Sequence, residues 1–178
     1  VVQLVGSFSA RDDSGSAAVA ARTLASKLHG EIALLNAPAI VDSPDLRSAL
    51  LGDSSITPTL ELFSRVNVAV FGVGSLTPTP SSHLIRAGYL TDAEVEDLVK
   101  LGAVGDILTC FVLENGEIHP GPLRDRVIAL QAEMLRKIPF TIAVAGGAHK
   151  AKAIESAVRA GLIRMLVTDH SLADAIVM

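Results

Sequence analysis

The residues with the clearest chemical potential lie in segment 142–150, which reads IAVAGGAHK. Its apolar start is typical of a buried strand, and the pattern after the two glycines is helical, with a lysine in the first turn. Backbone N–H groups at a helix N-terminus lack partners within the helix, and the helix dipole is positive there. Glycine also lets a ligand approach the backbone closely. Gly146, Gly147 and Lys150 therefore predict an anion site, which we interpret as the binding site of a small phosphorylated molecule.

Lys150 lies beside the apolar stripe of its predicted helix, so its side chain is expected to lean over the edge of a sheet. A cation near a helix N-terminus is unfavourable by roughly a few tenths of a kcal/mol, and an anion bound between them would reverse that effect. The alternative is a solvated lysine whose aliphatic stem covers apolar surface. The sequence favours the ligand role and leaves the alternative open.

Two further segments carry candidate ligand contacts. Gly72, Gly74 and Ser75 follow a predicted strand, where the glycines would let the backbone turn under a ligand and the serine would offer a hydroxyl. A single G-x-G pattern also serves packing alone, so both interpretations stand. Asp106, in a predicted loop after Gly105, could accept hydrogen bonds from sugar hydroxyls or bond to its own backbone.

Other candidates have weaker support. Gly6 and Ser7 follow the first predicted strand, where a ligand could bind. Arg86 follows a proline-rich loop and is a candidate phosphate contact, because arginine binds phosphate through two parallel hydrogen bonds. Arg124 and Arg126 could do the same, but an exposed ion pair with the aspartate between them is slightly favoured.

Composition limits the classes of function. The chain has 178 residues, which fits a single domain, and its 49% hydrophobic and 3% aromatic residues are typical of an α/β protein with an aliphatic core. A net charge of −4 argues against free-standing nucleic-acid binding. The single cysteine, Cys110, rules out a disulfide within the chain and fits a reducing cytoplasm. No apolar stretch approaches the ~20 residues that span a membrane.

Histidine and serine patterns give no support for metal or nucleophilic chemistry. None of the 5 histidines has metal-ligand spacing with a cysteine, an aspartate or another histidine, so neither a metal nor a cofactor is expected. The sequence contains no G-x-S-x-G elbow and no P-loop. A catalytic nucleophile is therefore not expected.

Helical and strand-like patterns alternate along the chain, and Asn115-Gly116 predicts a hairpin turn. The alternation implies a mostly parallel, doubly wound sheet, in which ligands bind beyond the carboxyl ends of the strands. Helices are predicted at residues 14–28, 44–52, 59–65, 91–101, 131–137, 149–160 and from about 171, and strands at residues 1–5, 31–35, 67–71, 107–113, 127–130, 141–145 and 162–167.

A set of short motifs, in this order and spacing, resembles the effector-binding domain of SorC-family bacterial transcription regulators, which include deoxyribonucleoside and central glycolytic gene regulators. The resemblance runs through nearly the whole chain. Its motifs are VVQLVG at 1–6, APAIV at 37–41, VAVFGVGS at 68–75, AGYLT at 87–91, GAVGDI at 102–107, IP at 138–139, AVAGG at 143–147, KA at 150–151 and LVTD at 166–169.

The resemblance implies a Rossmann-like α/β fold with helices on both faces of a mostly parallel sheet, similar to sugar-phosphate isomerases and glucosamine-6-phosphate deaminases. It implies a sugar or sugar phosphate as ligand, with altered DNA affinity and oligomeric state as the response, and no chemical turnover. Lys150 matches the family lysine that reaches the effector phosphate. Asp106 matches the aspartate of the family pocket, and Gly74 with Ser75 matches its glycine turn.

The chain also departs from the family pattern. Family members carry an N-terminal helix-turn-helix segment and an earlier strand that ends in a Gly/Thr phosphate loop, and neither is visible here. We therefore expect the chain to start partway into the effector domain, as a single partial domain covering residues 1–178. Operator DNA would be bound only through the missing N-terminal domain. A cytoplasmic homo-oligomer, dimer or tetramer, is expected.

Two other functions compete with the sensor. A sugar-phosphate isomerase or deaminase of the same fold needs a general base near the substrate carbon, and Asp106 is the only acidic residue at a candidate loop. A purely structural oligomerisation module would bind no sugar at all. The sequence favours the sensor over both.

Overall fold

The computed structural model describes residues 1–8 and 16–177, which form two compact units. The first unit comprises Val1–Val66 with Leu123–Leu130, and the second comprises Asn67–Pro122 with Gln131–Met178. The predicted start of the first helix, at residue 14, lies outside the described residues. Of the candidate site residues, Gly6, Ser7, Arg124 and Arg126 belong to the first unit and the others to the second.

The described part of the first unit contains three helices: α1 (Ala17–Lys27), α2 (Pro44–Leu51) and α3 (Thr57–Glu61), the last continued by a 3₁₀ turn at Leu62–Arg65. The predicted start of α2 is confirmed, because the Leu46 N–H donates to the Ser43 hydroxyl and a proline opens the first turn.

The strands predicted at 1–5, 31–35 and 127–130 are wrong in extent. In the described structure these segments form isolated bridges, between Val2 and Ala33, between Val5 and Ala129 and between Val127 and Ile40. Regular pairing is interrupted where the Ala37 N–H bonds to the Leu35 carbonyl of its own segment instead of to a neighbouring strand.

Up to residue 177, the second unit forms two sheets and five helices. The helices are α4 (His83–Arg86), α5 (Asp92–Lys100), α6 (Ala132–Leu135), α7 (Ala151–Arg159) and α8 (His170–Val177), with a 3₁₀ turn at Ala148–Lys150 directly before α7. The strands are β1 (Val68–Gly72), β2 (Gly74–Ser75), β3 (Ala103–Ile107), β4 (Cys110–Leu113), β5 (Ile118–His119), β6 (Phe140–Val144) and β7 (Met165–Val167).

The predicted parallel sheet is present but small. Its strand order is β1-β6-β7, and the residues at the ends of the strands, Gly72, Val144 and Val167, lie side by side. One face is buried, whereas the other exposes Val70 and Phe140 to 48% and 55%. The expectation of helices on both faces therefore does not hold for this sheet within the described residues.

The other sheet, β2-β3-β4-β5, is antiparallel and corrects two predictions. The single strand predicted at 107–113 is instead a hairpin between β3 and β4, with Leu108 and Thr109 at positive φ of 47° and 73°. Asp106 lies inside β3, opposite Phe111, and not in a loop. The sequence predicts one strand in place of the β3–β4 hairpin because an apolar run without glycine or asparagine carries no turn signal.

Sequence signals for helix starts and tight turns predict the structure better than the strand patterns do. Thr91 and Glu94 form the predicted capping box at the start of α5. Asn115-Gly116 forms the predicted hairpin, with Gly116 at φ +87°, although its second strand is β5 and not residues 127–130. In the described part of the chain, no helix has the length and apolar character needed to cross a membrane.

Close packing of α7 against β3 can be tested at Gly105. A Cβ on Gly105 would lie 2.5 Å from the Cβ of Ala153 and 2.5 Å from the carbonyl oxygen of Gly74. Gly105→Ala should therefore lower the free energy of unfolding by about 1–3 kcal/mol, measured by urea denaturation. Gly52→Ala is the control, because its Cβ would meet nothing closer than 3.7 Å. Equal losses in both variants would contradict the close packing.

Candidate functional site

The candidate site lies at the carboxyl edge of the parallel sheet. The ends of β1, β6 and β7 are neighbours, and the Gly146-Gly147 turn follows the middle strand. The segments that leave these three strands are therefore brought together, as expected for an open α/β sheet. Two of the predicted segments, at Gly72–Ser75 and at Gly146–Lys150, meet here.

Lys150 leans over this edge, as its helical position predicts. Its Nζ donates a hydrogen bond to the Val73 carbonyl oxygen at 2.8 Å, and the side chain is half-buried. Burial lowers the pKa of Lys150, the negative charge of Asp106 opposes that effect, and the positive charge of Arg86 adds to it. The amine is thus partly desolvated and feels the charges of both a carboxylate and a second cation.

Asp106 is the most unusual group of the site. It is only 8% exposed, and within the described residues its Oδ1 has no hydrogen-bond partner. Burial raises the pKa of the carboxyl to about 6, against the opposing effects of the Ser82 hydroxyl and the Lys150 charge. A buried acceptor without a partner requires an explanation, and a ligand is one.

Gly74 makes room for this carboxyl. The two residues face each other in the β2–β3 pairing, and a Cβ on Gly74 would overlap Oδ1 of Asp106. The sequence predicts that Gly74 lets a ligand approach. In the structure, position 74 has to be a glycine because the Asp106 side chain occupies the adjacent space. Gly72 is less constrained, since a Cβ there would meet only the Val144 carbonyl oxygen at 4.0 Å.

The predicted role of Ser75 as a ligand contact is corrected. Ser75 is fully buried, and its hydroxyl donates to the Thr79 carbonyl oxygen at 2.7 Å. Its own carbonyl oxygen accepts from the N–H groups of Ser81 and Ser82. The residue folds the proline-containing loop back on itself, and Ser82 then caps α4, which ends at the exposed Arg86.

The Gly146-Gly147 turn differs from the prediction in one respect. Gly147 adopts φ +94°, and its N–H, expected to be free for an anion, donates to Oδ2 of Asp169 at 2.9 Å. A Cβ on Gly146 would lie 2.7 Å from that same oxygen. The turn therefore already binds a carboxylate of the protein on its β7 side.

Asp169 was missed as a site residue. Its Oδ1 accepts from the Leu172 N–H at 2.9 Å and from the Ser171 hydroxyl at 3.0 Å, so the side chain caps α8. These hydrogen bonds hold the pKa of Asp169 below its usual value, with the Leu172 amide the largest cause. An aspartate directly before a helix signals a cap, but the sequence gives no sign of the contact to Gly147, 22 residues away.

Gly6 and Ser7 belong to the first unit. A Cβ on Gly6 would lie 2.5 Å from the Pro38 carbonyl oxygen, and the Ser7 N–H donates to the Ala37 carbonyl. The glycine thus serves a close approach of two backbones, and a ligand contact at these residues stays a prediction. Among residues 1–8 and 16–177, no group of three or more His, Cys, Asp or Glu side chains could hold a metal ion.

Comparison with known proteins identifies the family. A family model described as "Putative sugar-binding domain" matches residues 1–178. The deoxyribonucleoside regulator of Bacillus subtilis (strain 168) is 30% identical over 177 residues, which are 99% of this chain and 56% of that protein. The full-length sorbitol operon regulator SorC from Klebsiella pneumoniae shares the fold, with a TM-score of 0.89 at 23% identity over 98% of this chain and 56% of that chain. The chain belongs to the sugar-binding domain family of SorC/DeoR transcriptional regulators.

The resemblance stated from the sequence motifs is thereby confirmed. LsrR of Enterobacter sp. (strain 638), also a transcriptional regulator, is 30% identical over 146 residues, which are 82% of this chain and 45% of that protein. The sugar-binding domain thus spans about half the length of these curated relatives. Their description as regulators agrees with the expectation that the domain is not an enzyme.

The buried carboxyl of the sugar-binding domain predicts a pH dependence of stability. The pKa of Asp106 is raised from 3.8 to about 6, so the folded state holds this proton more tightly than the unfolded state does. The resulting stability is fully present below pH 3.8 and is lost as the pH rises through about 6. Asp106→Asn should therefore stabilise the domain by about 3 kcal/mol at pH 7.5 and by little near pH 4. Thermal unfolding across this range checks it, and parallel curves for the two proteins would contradict it.

Proposed function

We propose that the sugar-binding domain binds a phosphorylated sugar at the carboxyl edge of the β1-β6-β7 sheet. Lys150 and Arg86 would hold the phosphate, and Asp106 would accept a hydrogen bond from a sugar hydroxyl. The observation that carries the proposal is the unpartnered oxygen of Asp106, buried beside the half-buried amine of Lys150. A sugar phosphate carries both groups that this pair lacks, a hydroxyl donor and an anion.

The phosphate position rests on two cations. The positive charge of Arg86 adds to the lowering of the Lys150 pKa, so the two cations repel each other. A dianion between them would turn that repulsion into attraction, and a partly desolvated amine interacts more strongly than one in bulk water. The Lys150 amine has three donors, of which the Val73 carbonyl uses one. The remaining donors are available to phosphate oxygens.

The hydroxyl position rests on Asp106. An ionised carboxylate accepts hydrogen bonds only, so its orphaned oxygen requires a donor. A sugar hydroxyl is such a donor, and a hydrogen bond to a charged group contributes about 1.5–3 kcal/mol. The absence of a Cβ on Gly74 leaves the carboxyl its space beside β2.

In the complete regulator, we propose that ligand binding controls oligomeric state and DNA affinity. An N-terminal helix-turn-helix domain would contact operator DNA, and the sugar-binding domains would associate as a dimer or tetramer. A ligand that binds one arrangement of subunits more tightly shifts the population toward it. The names of the relatives, which are regulators, support this role over catalysis.

The second candidate is a sugar-phosphate isomerase or deaminase. One observation favours it, because a carboxyl with a pKa of about 6 suits a general base. Asp169, the other acid at this edge, is exposed and already accepts three hydrogen bonds. We expect no product when the protein is incubated with ribose 5-phosphate or glucosamine 6-phosphate, and turnover of either would overturn the sensor.

The phosphate contact is tested by Lys150→Ala. The variant should bind phosphorylated sugars at least about tenfold more weakly, because it loses a charge-assisted hydrogen bond, and should bind the unphosphorylated sugars unchanged. Titration calorimetry with ribose 5-phosphate and ribose, and with glucose 6-phosphate and glucose, measures both effects. Lys152→Ala is the matched control, since its exposed amine, in the first turn of α7, pairs with the exposed Glu114 that follows β4.

Equal losses for phosphorylated and neutral sugars in Lys150→Ala would refute the charge contact. If none of these sugars raises the unfolding temperature of the unaltered protein, the domain is a purely structural module. A ligand at 100 times its Kd should add about 2.7 kcal/mol to the free energy of unfolding.

A further inference from the structure

The parallel sheet has one apolar face that the described residues leave uncovered. Successive side chains of a strand point to opposite faces, and the register aligns the exposed ones, with Val68 opposite Phe140 and Val144 opposite Val167. We call this surface the exposed face. Six of its apolar residues are 46–56% exposed: Val68, Val70, Phe140, Val144, Met165 and Val167.

The composition of the exposed face does not suit contact with water. The strands β1, β6 and β7 contain no charged residue. Sheets that are entirely parallel occur almost only with helices on both faces. Exposed apolar patches larger than about a few hundred Å² mark interaction sites in soluble proteins. The face is therefore expected to pack against another element.

Strand β1 also has an edge without a partner strand, which we call the open edge. Within the described residues β1 pairs with β6 alone. The Phe140 N–H donates to the Asn67 carbonyl, so alternate residues from Asn67 onward direct their backbone groups to β6. The N–H and C=O groups of Val68, Val70 and Gly72 therefore point to the open edge. The strand has no proline or charge of the kind that protects natural edges from pairing.

A strand joined to an amphipathic helix would satisfy both surfaces. A parallel strand would pair with the open edge, and parallel strands are usually connected through a helix, whose apolar side would cover the exposed face. Solved relatives have the extra length for such a segment. This chain covers 68% of the solved domain of a transcriptional repressor from Vibrio fischeri, at 34% identity and a TM-score of 0.82, and 68% of one from Arthrobacter aurescens TC1.

We propose that the exposed face and the open edge form one docking surface, which binds a strand and an amphipathic helix of the complete regulator that lie outside these 178 residues. A second copy of this chain satisfies the surface less well. A copy stacked on the exposed face would leave the backbone groups of Val68, Val70 and Gly72 unpaired. A copy paired along the open edge would leave the apolar side chains in water.

Hydrogen exchange of the β1 amides tests the added strand. Mass spectrometry follows a peptide of residues 67–73 in this chain and in the complete regulator, both without ligand. In this chain the amides of Val68, Val70 and Gly72 should exchange within seconds, because water reaches the open edge. In the complete regulator they should exchange at least about a hundredfold more slowly. Strand β3 is the control, because it is paired on both sides and should exchange equally in the two proteins.

A charge on the exposed face tests the helix. Phe140→Lys should lower the Tm of the complete regulator by at least about 5 °C, because it places an ammonium group beneath the helix. The same variant of this chain should lose less than about 2 °C, because the side chain at 140 is already 55% exposed. Val158→Lys is the matched control: Val158 is 52% exposed on α7, so the two proteins should shift equally.

Three results would overturn the proposal. The first is equal exchange of the Val68, Val70 and Gly72 amides in the two proteins. The second is protection of these amides in this chain that appears only as it dimerises, which sedimentation velocity detects and which would make a second copy the occupant. The third is an equal Tm shift from Phe140→Lys in both proteins. Should that variant fail to fold, hydrogen exchange of the unaltered proteins still decides.

Discussion

The organisation of the site depends on one buried carboxyl. Asp106 lies within β3, where the absence of a side chain on Gly74 gives it space and the Lys150 amine gives it an opposite charge. Burying a carboxyl with one oxygen unpartnered is unfavourable, and this burial raises its pKa to about 6. The antiparallel sheet fixes the residue in this place through the pairing of β3 with β2 and β4.

The segments around this carboxyl are held by contacts that leave the ligand groups available. The Ser75 hydroxyl closes the loop before α4 and so fixes the helix that carries Arg86. Asp169 fixes the Gly146-Gly147 turn from the opposite side. Each contact joins a polar side chain to a loop backbone, within one loop for Ser75 and across 22 residues for Asp169. Such ordering would lower the entropy that binding of the proposed ligand must overcome.

The sequence predicts those parts of the fold that depend on local patterns. The sequence predicts the strand, the glycine turn and the helix around Lys150 because each signal lies within a short stretch of neighbouring residues. The same holds for the caps of α2 and α5. The sequence does not predict the hairpin at Leu108-Thr109, because neither residue type favours the positive φ that both adopt there. Asp106 and Lys150 were both named, but their proximity, the burial of the carboxyl and the role of Asp169 depend on pairings between distant segments.

The buried carboxyl gives the proposed ligand a way to act as a signal. Above a pH of about 6 Asp106 is ionised and buried with one oxygen unpartnered, a penalty that the hydroxyl of the proposed sugar would remove. A ligand shifts a conformational equilibrium only by the difference in its interaction with the two states. Any rearrangement that separates Asp106 from Lys150 would pull apart the two side chains that are proposed to bind the hydroxyl and the phosphate of the sugar. Under the proposed function, binding would therefore favour the arrangement in which β3 and the start of α7 stay together.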